Sequence, residues 1–419
     1  MMASFLMTVV FAACLLAGLV VRFWLASRQV RHVALHREDV PAAFRASVTL
    51  ESHRKAAEYT IVKTRLGILE MAFAATVLLG WTLLGGLDAL NRTLLGWMAP
   101  GMLHQVALVL SFVLIGAVLD LPFSLYSTFV VEERFGFNKV TWTLWLSDLV
   151  KIVALGAALG LPLLWVVLWL MRAGGEVWWA WAWGVTALYQ LFVMWIAPRV
   201  IMPIFNRFTP LEDDALKQRV TQLMERCGFA ARGLFVMDGS KRSGHSNAFF
   251  TGFGANKRVV FFDTLLKQLS HDEMEAVLAH ELGHFKRRHI VKQMAVGFVA
   301  SLAGFALLGW LAQQVWFYTG LGVRPNLQGS NDALALLLFM SVVPVFTFFV
   351  SPLMSRVSRK HEFEADAFAM EHASGTELAS ALLKLHEDNA STLTPDPVYA
   401  KFYYSHPPAT ERLARLAAA

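Results

Sequence analysis

The chain has 419 residues, 56% of them hydrophobic and 16% charged, with a mean hydropathy of +0.49 and a net charge of +6. A soluble protein of this length carries more charge, so a wholly soluble enzyme is excluded. Cys14 and Cys227 are the two cysteines, which excludes a disulfide framework or a cysteine metal site.

Apolar stretches of spanning length recur along the chain. They cover residues 3–21, 66–87 around Glu70, 106–131 around Asp120, 152–171, 177–198, 293–323 (partly an extramembrane loop) and 333–355. These predict seven spans. The first has no basic stretch before it and no cleavage signal, and reads as a retained helix rather than a signal peptide. Glu70 and Asp120, as intramembrane acids, are functional candidates by default. Basic residues follow the odd-numbered spans: Arg28 to Arg65 after the first, Arg134 and Lys139 after the third, and Arg356, Arg359 and Lys360 after the seventh. That asymmetry predicts an external N-terminus and a cytoplasmic location for the polar segments. The basic excess is not interleaved with aromatics, so it reads as topology and lipid contact rather than nucleic-acid binding.

Four regions follow: a five-span membrane region at 1–198, a polar segment at 199–290, a membrane hairpin at 291–355 and a mostly helical segment at 356–419. Within the second, residues 215–227 read as a helix, and 234–237 and 258–262 as strands. Residues 272–285 read as a largely buried helix, started by a capping box of Ser270 and Glu273. This helix carries His280-Glu281-Leu282-Gly283-His284. Two histidines four apart share one helix face and can reach one metal ion, with Glu281 beside a metal-activated water. Buried on a helix, these polar groups need a partner, and a metal supplies one.

A catalytic zinc needs a third protein donor and an open position. Glu362 fits, four residues before Asp366 on a predicted helix, so that Asp366 can hold a ligating histidine in one tautomer. Glu364 points elsewhere, and His361 is a weaker rival. The two halves of the site are split by the membrane hairpin, which sets the metal close to the bilayer surface or within a cavity framed by the spans.

The chain resembles the zinc-dependent CAAX prenyl endopeptidases, integral membrane proteases that cut after a prenylated cysteine. The resemblance runs nearly end to end. It rests on Leu-Pro-Phe-Ser-Leu-Tyr at 121–126, Glu-Glu-Arg-Phe-Gly-Phe-Asn at 132–138, Pro-Ile-Phe-Asn at 203–206, Ser-Gly-His-Ser-Asn-Ala-Phe at 243–249, the 362–366 stretch, and Tyr-Ser-His-Pro-Pro at 404–408. It implies a mostly α, polytopic seven-helix protein with a gluzincin-like zinc protease domain, a small β element and an intramembrane chamber. It implies one zinc on His280, His284 and Glu362, and Glu281 as general base. His406 is implied as a donor to the developing oxyanion, and Asn247 as a group that orients substrate or shares that role; Arg412 follows the His406 segment and could pair with an acid near the site. Residues 248–252 lead to the 258–262 strand, and an edge strand there could take the substrate backbone.

The expected substrates are peptides or lipid-modified peptides, and the expected state is a monomer among membrane lipids. Short connecting loops and the absence of an organelle retention signal in Leu416-Ala417-Ala418-Ala419 suit a bacterial inner membrane. Two other readings are a quality-control membrane protease and, from another class, a transporter. The transporter predicts paired broken helices in two halves, and no such symmetry is evident.

Overall fold

The structure, a computed structural model, describes residues 1–251 and 257–417. Among these, six helices are long and apolar enough to cross a membrane, and one bent pair makes a seventh. Span 1 is Met2–His36, and span 2 is Leu50–Trp81 turned by 50° into Gly86–Trp97. Spans 3, 4 and 5 are Met102–Glu132, Trp142–Ala173 and Gly175–Phe205; spans 6 and 7 are His289–Leu311 and Asp332–His372. Glycine permits the bend in span 2. Gly85 has a φ of 78°, and a Cβ on Gly86 would lie 2.6 Å from the Gly80 carbonyl oxygen.

Leu108, Leu168, Phe317, Leu334 and Leu338 bury the contact among the spans. Leu16, Val113, Val153, Leu188 and Val299 face outward and exposed. An apolar outer surface on helices of this length is what a bilayer solvates, and the chain is an integral membrane protein. Span 2 starts at Leu50 and span 7 continues to His372, both well beyond the apolar stretches that hydropathy marks. The extensions are polar helix that packs on the rest of the protein, so an apolar window does not register them.

A crevice of about 640 Å³ lies between spans 1, 2 and 7, with Arg22, Lys63 and Glu70 among its lining residues. Glu70 and Asp120 are both exposed.

The polar layer holds a four-stranded sheet of order β1-β2-β4-β3. β1 (Phe208–Pro210) runs antiparallel to β2 (Ala231–Met237), and β2 runs parallel to β4 (Lys257–Phe262). β3 (Ala248–Thr251) pairs antiparallel with β4 and forms an edge. Of the expected 248–252 stretch, Gly252 lies outside the described residues. The helix Asp214–Arg226 lays Leu216, Val220 and Leu223 into a core shared with Val259 and Phe261 of β4. Leu278 and Leu282 of the helix His271–Lys286 complete that core.

Ser270 caps His271–Lys286 in a full capping box with Glu273. Glu273 is buried and goes further. It accepts from Ser380 Oγ at 2.6 Å and from Lys384 Nζ at 2.8 Å, which ties this helix to Gly375–Asp388. Burial pushes the Glu273 carboxyl up, but hydrogen bonds from Lys384, Ser380 and Ser270 outweigh it and leave the pKa below its ordinary 4.5. A depressed carboxylate contributes stability above its unfolded pKa and loses it as pH falls through the folded value. Glu273→Ala should therefore cost about 2–3 kcal/mol in detergent unfolding at neutral pH. Glu273→Gln should lose less, and should flatten the acid-side decline of stability seen in wild type below the ordinary glutamate range.

Candidate active site

The helix His271–Lys286 and the cytoplasm-predicted end of span 7, Ser351–His372, cross at close range. Gly283 sits at the crossing. A Cβ there would stand 3.0 Å from Ala365 Cα and 3.0 Å from Phe368 Cβ. With glycine and alanine face to face, the backbones come near enough for His280 and His284 to meet Glu362. These three side chains present donor atoms that all lie within 4.8 Å of one another. His280 Nε2 is 3.5 Å from Glu362 Oε2, and His284 Nε2 is 3.4 Å from Glu362 Oε1. The two Nε2 atoms are 3.3 Å apart.

Protonation logic says what such a cluster holds. Asp366 Oδ1 lies 2.8 Å from His280 Nδ1. A carboxylate only accepts, so that Nδ1 carries the hydrogen and a neutral His280 turns a bare lone pair toward Glu362. Glu362 Oε2 is buried with no hydrogen-bond partner among the described residues. Lone pairs converging without a donor between them fit a divalent cation. Burial opposes a proton on His280, yet hydrogen bonds to Asp366 and Glu362 overcome it and raise the pKa to about 9, so without a cation the ring takes a proton that a bound metal would displace. The pocket draws positive charge. A His-His-carboxylate set is a donor combination that can hold a divalent metal ion.

Arg412 closes the back of the pocket. Buried on the helix Ala409–Ala417, it donates from Nε to Asp366 Oδ2 at 2.9 Å, with a second bond from Nη2 to Oδ1. The pairing expected of Arg412 with an acid is therefore with Asp366. Its Nη1 also stands 3.7 Å from Glu362 Oε2.

His406 reaches the same edge, its Nε2 3.4 Å from Glu362 Oε1 and its ring largely exposed. Its turn is held from behind. Arg359 donates to the Tyr404 carbonyl at 2.7 Å, and the helix Pro397–Tyr403 starts on Asp396, which pairs with Arg28 of span 1 at 2.9 Å. Glu281 is half-buried, with no hydrogen bond or ion pair to another described residue.

Asn247 is not brought to the donors by any hydrogen bond among the described residues. It is exposed at the start of β3, and its Oδ1 accepts from the Ala248 amide at 2.8 Å. The loop that carries it is braced by the membrane region. Asn138 bridges Ser243, His245 stacks on Phe137 at 4.4 Å, and Arg242 makes a two-pronged pair with Asp148 of span 4 at 2.8 and 3.0 Å. The 132–138 and 243–249 motifs thus meet in space. Sequence spacing does not foretell that contact, nor the role of Arg28.

Two family models match. Residues 29–207 match "CAAX prenyl protease N-terminal, five membrane helices", and residues 210–419 match "Peptidase family M48". The chain belongs to peptidase family M48. The M48 match makes it a metallopeptidase, and the five-membrane-helix match with the apolar spans makes it an integral membrane one. Among relatives, it is 34% identical to a CAAX prenyl protease 1 homolog of Oryza sativa subsp. japonica, over 92% of each chain. It is also 34% identical to CAAX prenyl protease 1 of Saccharomyces cerevisiae, over 91% of this chain and 89% of that one. The crystal structure of S. mikatae Ste24p superposes with a TM-score of 0.90 at 31% identity, covering 98% of this chain and 99% of that one.

The crossing at Gly283 makes a prediction specific to this M48 peptidase. Gly283→Val should force the two helices apart and abolish tight metal binding. Helical content by circular dichroism should be kept, and metal content by atomic absorption should fall to background.

Proposed function

We propose that this protein is a zinc endopeptidase acting on CAAX-type peptides with a lipid-modified C-terminal region, or on membrane-associated peptides of the same kind. The observation that carries it is the convergence of His280, His284 and Glu362 on one point, with Glu362 Oε2 buried and unpartnered. The relatives are CAAX prenyl proteases, and the proposed substrate class follows theirs.

When bound, zinc supplies Lewis acidity to a carbonyl and to a water. The chain's own residues do the rest. Glu281, the unpaired carboxylate beside the histidines, takes a proton from the attacking water and returns it to the leaving amine. His406 donates a hydrogen bond to the carbonyl oxygen as negative charge builds there. Asn247 orients the substrate backbone beside β3, whose free edge can accept an extended peptide as one more strand. Asp366, backed by Arg412, holds His280 in the tautomer that keeps Nε2 bare.

The basic residues around spans 1, 3 and 7 support an N-terminus outside and a site open to the cytoplasm. We further infer a bacterial inner membrane, one zinc per chain, a monomer and direct contact with bilayer lipids.

The test pairs metal content with cleavage of a farnesylated CAAX peptide, in wild type and Glu281→Ala. Both should hold one zinc. The variant should lose cleavage by on the order of 10³-fold, the range of general acid–base catalysis. Zinc without cleavage in wild type would overturn the prenyl-peptide substrate, and unprenylated membrane peptides would be tried in its place. A folded wild type without zinc would overturn the reading.

A further inference from the structure

His280 has an evident partner behind it, and His284 needs one as well. The chain supplies it in an unusual way. The helix His271–Lys286 ends, Arg288 takes a left-handed conformation with φ 55° and ψ 34°, and span 6 starts at His289. Along an unbroken helix, residues five apart lie about 140° from each other around the axis and do not meet. The left-handed turn at Arg288 swings His289 back. Its Nδ1 comes to 3.0 Å from His284 Nδ1, and its side chain is 2% exposed.

Span 7 completes the line. Glu364 follows Glu362 by two residues, so it lies about 200° round the helix and faces away from the metal position. There it meets His289, with Oε2 at 2.9 Å from His289 Nε2. Lys360 Nζ stands 3.8 Å from the other Glu364 oxygen, and His361 stacks flat on the His289 ring at 4.0 Å and 10°. Two more groups thus fix where His289 sits.

The hydrogens can be assigned from one end to the other. The Glu364 carboxylate only accepts, so His289 Nε2 is the donor. The Nδ1 of a neutral His289 is then a bare acceptor. His284 Nδ1, 3.0 Å away, has to supply the hydrogen, and His284 Nε2 is left bare toward Glu362 and His280.

We propose that Glu364 and His289 form a relay that fixes the tautomer and orientation of His284, making both positioning residues for the metal. This rests on the metal reading above. The two histidines are then held by different devices: His280 by a buried carboxylate locked to an arginine, His284 by an imidazole backed by a carboxylate from span 7.

The test measures zinc affinity of the purified full-length protein by competition with a chromophoric chelator. Cobalt-substituted absorption spectra report the ligand field. The Glu364 side chain is about a third exposed, so its variants fold; metal-free thermal unfolding checks this. Glu364→Leu removes the acceptor, and His289→Phe removes the imidazole while keeping a flat ring for His361. Each should weaken zinc by 10–100-fold, the usual cost of losing the group behind a ligand, and shift the cobalt bands. Glu364→Gln keeps an acceptor oxygen for His289 and should stay within about threefold of wild type. Unchanged affinity and spectrum in Glu364→Leu and His289→Phe, with wild type binding one zinc, would overturn the relay. So would equal losses in Glu364→Leu and Glu364→Gln. A wild type that binds no metal would overturn the metal reading itself, a separate result from either.

Discussion

Everything at the site depends on how closely two helices can cross. The space between Gly283 and Ala365 is too small for a side chain, and that shortage brings two histidines from one helix to a glutamate on the other. Helix axes usually pack 8–10 Å apart according to the side chains at the contact. The Leu-Gly pair inside the motif is therefore as much a part of the metal cage as the residues flanking it. Leu282 points into the polar-layer core and Gly283 lets the partner helix in.

That crossing buries charge, which is costly unless each group is matched. Glu362, Asp366, His280 and Arg412 are all buried in one place. Asp366 and Arg412 satisfy each other through a two-pronged pair, and His280 leans on Asp366. Glu362 keeps an oxygen with no hydrogen bond among the described residues, though Arg412 Nη1 stands 3.7 Å from it. The imbalance left in the cluster is thus focused on a single point that attracts positive charge, beside His406 at the exposed edge. Further out, ion pairs bind the polar layer to the spans: Arg28 with Asp396, and Arg242 with Asp148. They add to the local contacts that hold the His406 turn and the Asn247 loop, the Arg359 bond to the Tyr404 carbonyl and the His245 stack on Phe137 among them.

Much of this is legible in the amino-acid sequence. Spacing shows the histidine pair, the capping box at Ser270 and the helical pairing of Glu362 with Asp366, because these are local and follow helix periodicity. The number of spans follows from apolar length. Other features are not legible, each for a physical reason. The seventh span and the Glu362 helix form one continuous rod, but the apolar signal stops before the helix does. The contact between His284 and His289 depends on one left-handed residue, Arg288, and arginine carries no marker for that conformation as glycine would. Periodicity turns Glu364 away from the metal, as found, but its target is a residue 75 positions earlier, which periodicity cannot supply. Asn247 can be singled out by motif, while its bracing by Asn138 and Phe137 arises only from tertiary packing.

The placing of spans 6 and 7 between the histidines and Glu362 has a consequence for the life of the chain. A polypeptide made from its N-terminus carries His280 and His284 well before Glu362 exists. The donors can meet only after the hairpin has threaded across the bilayer and returned. The order of the chain thus couples completion of the donor set to the placing of the two spans between its halves.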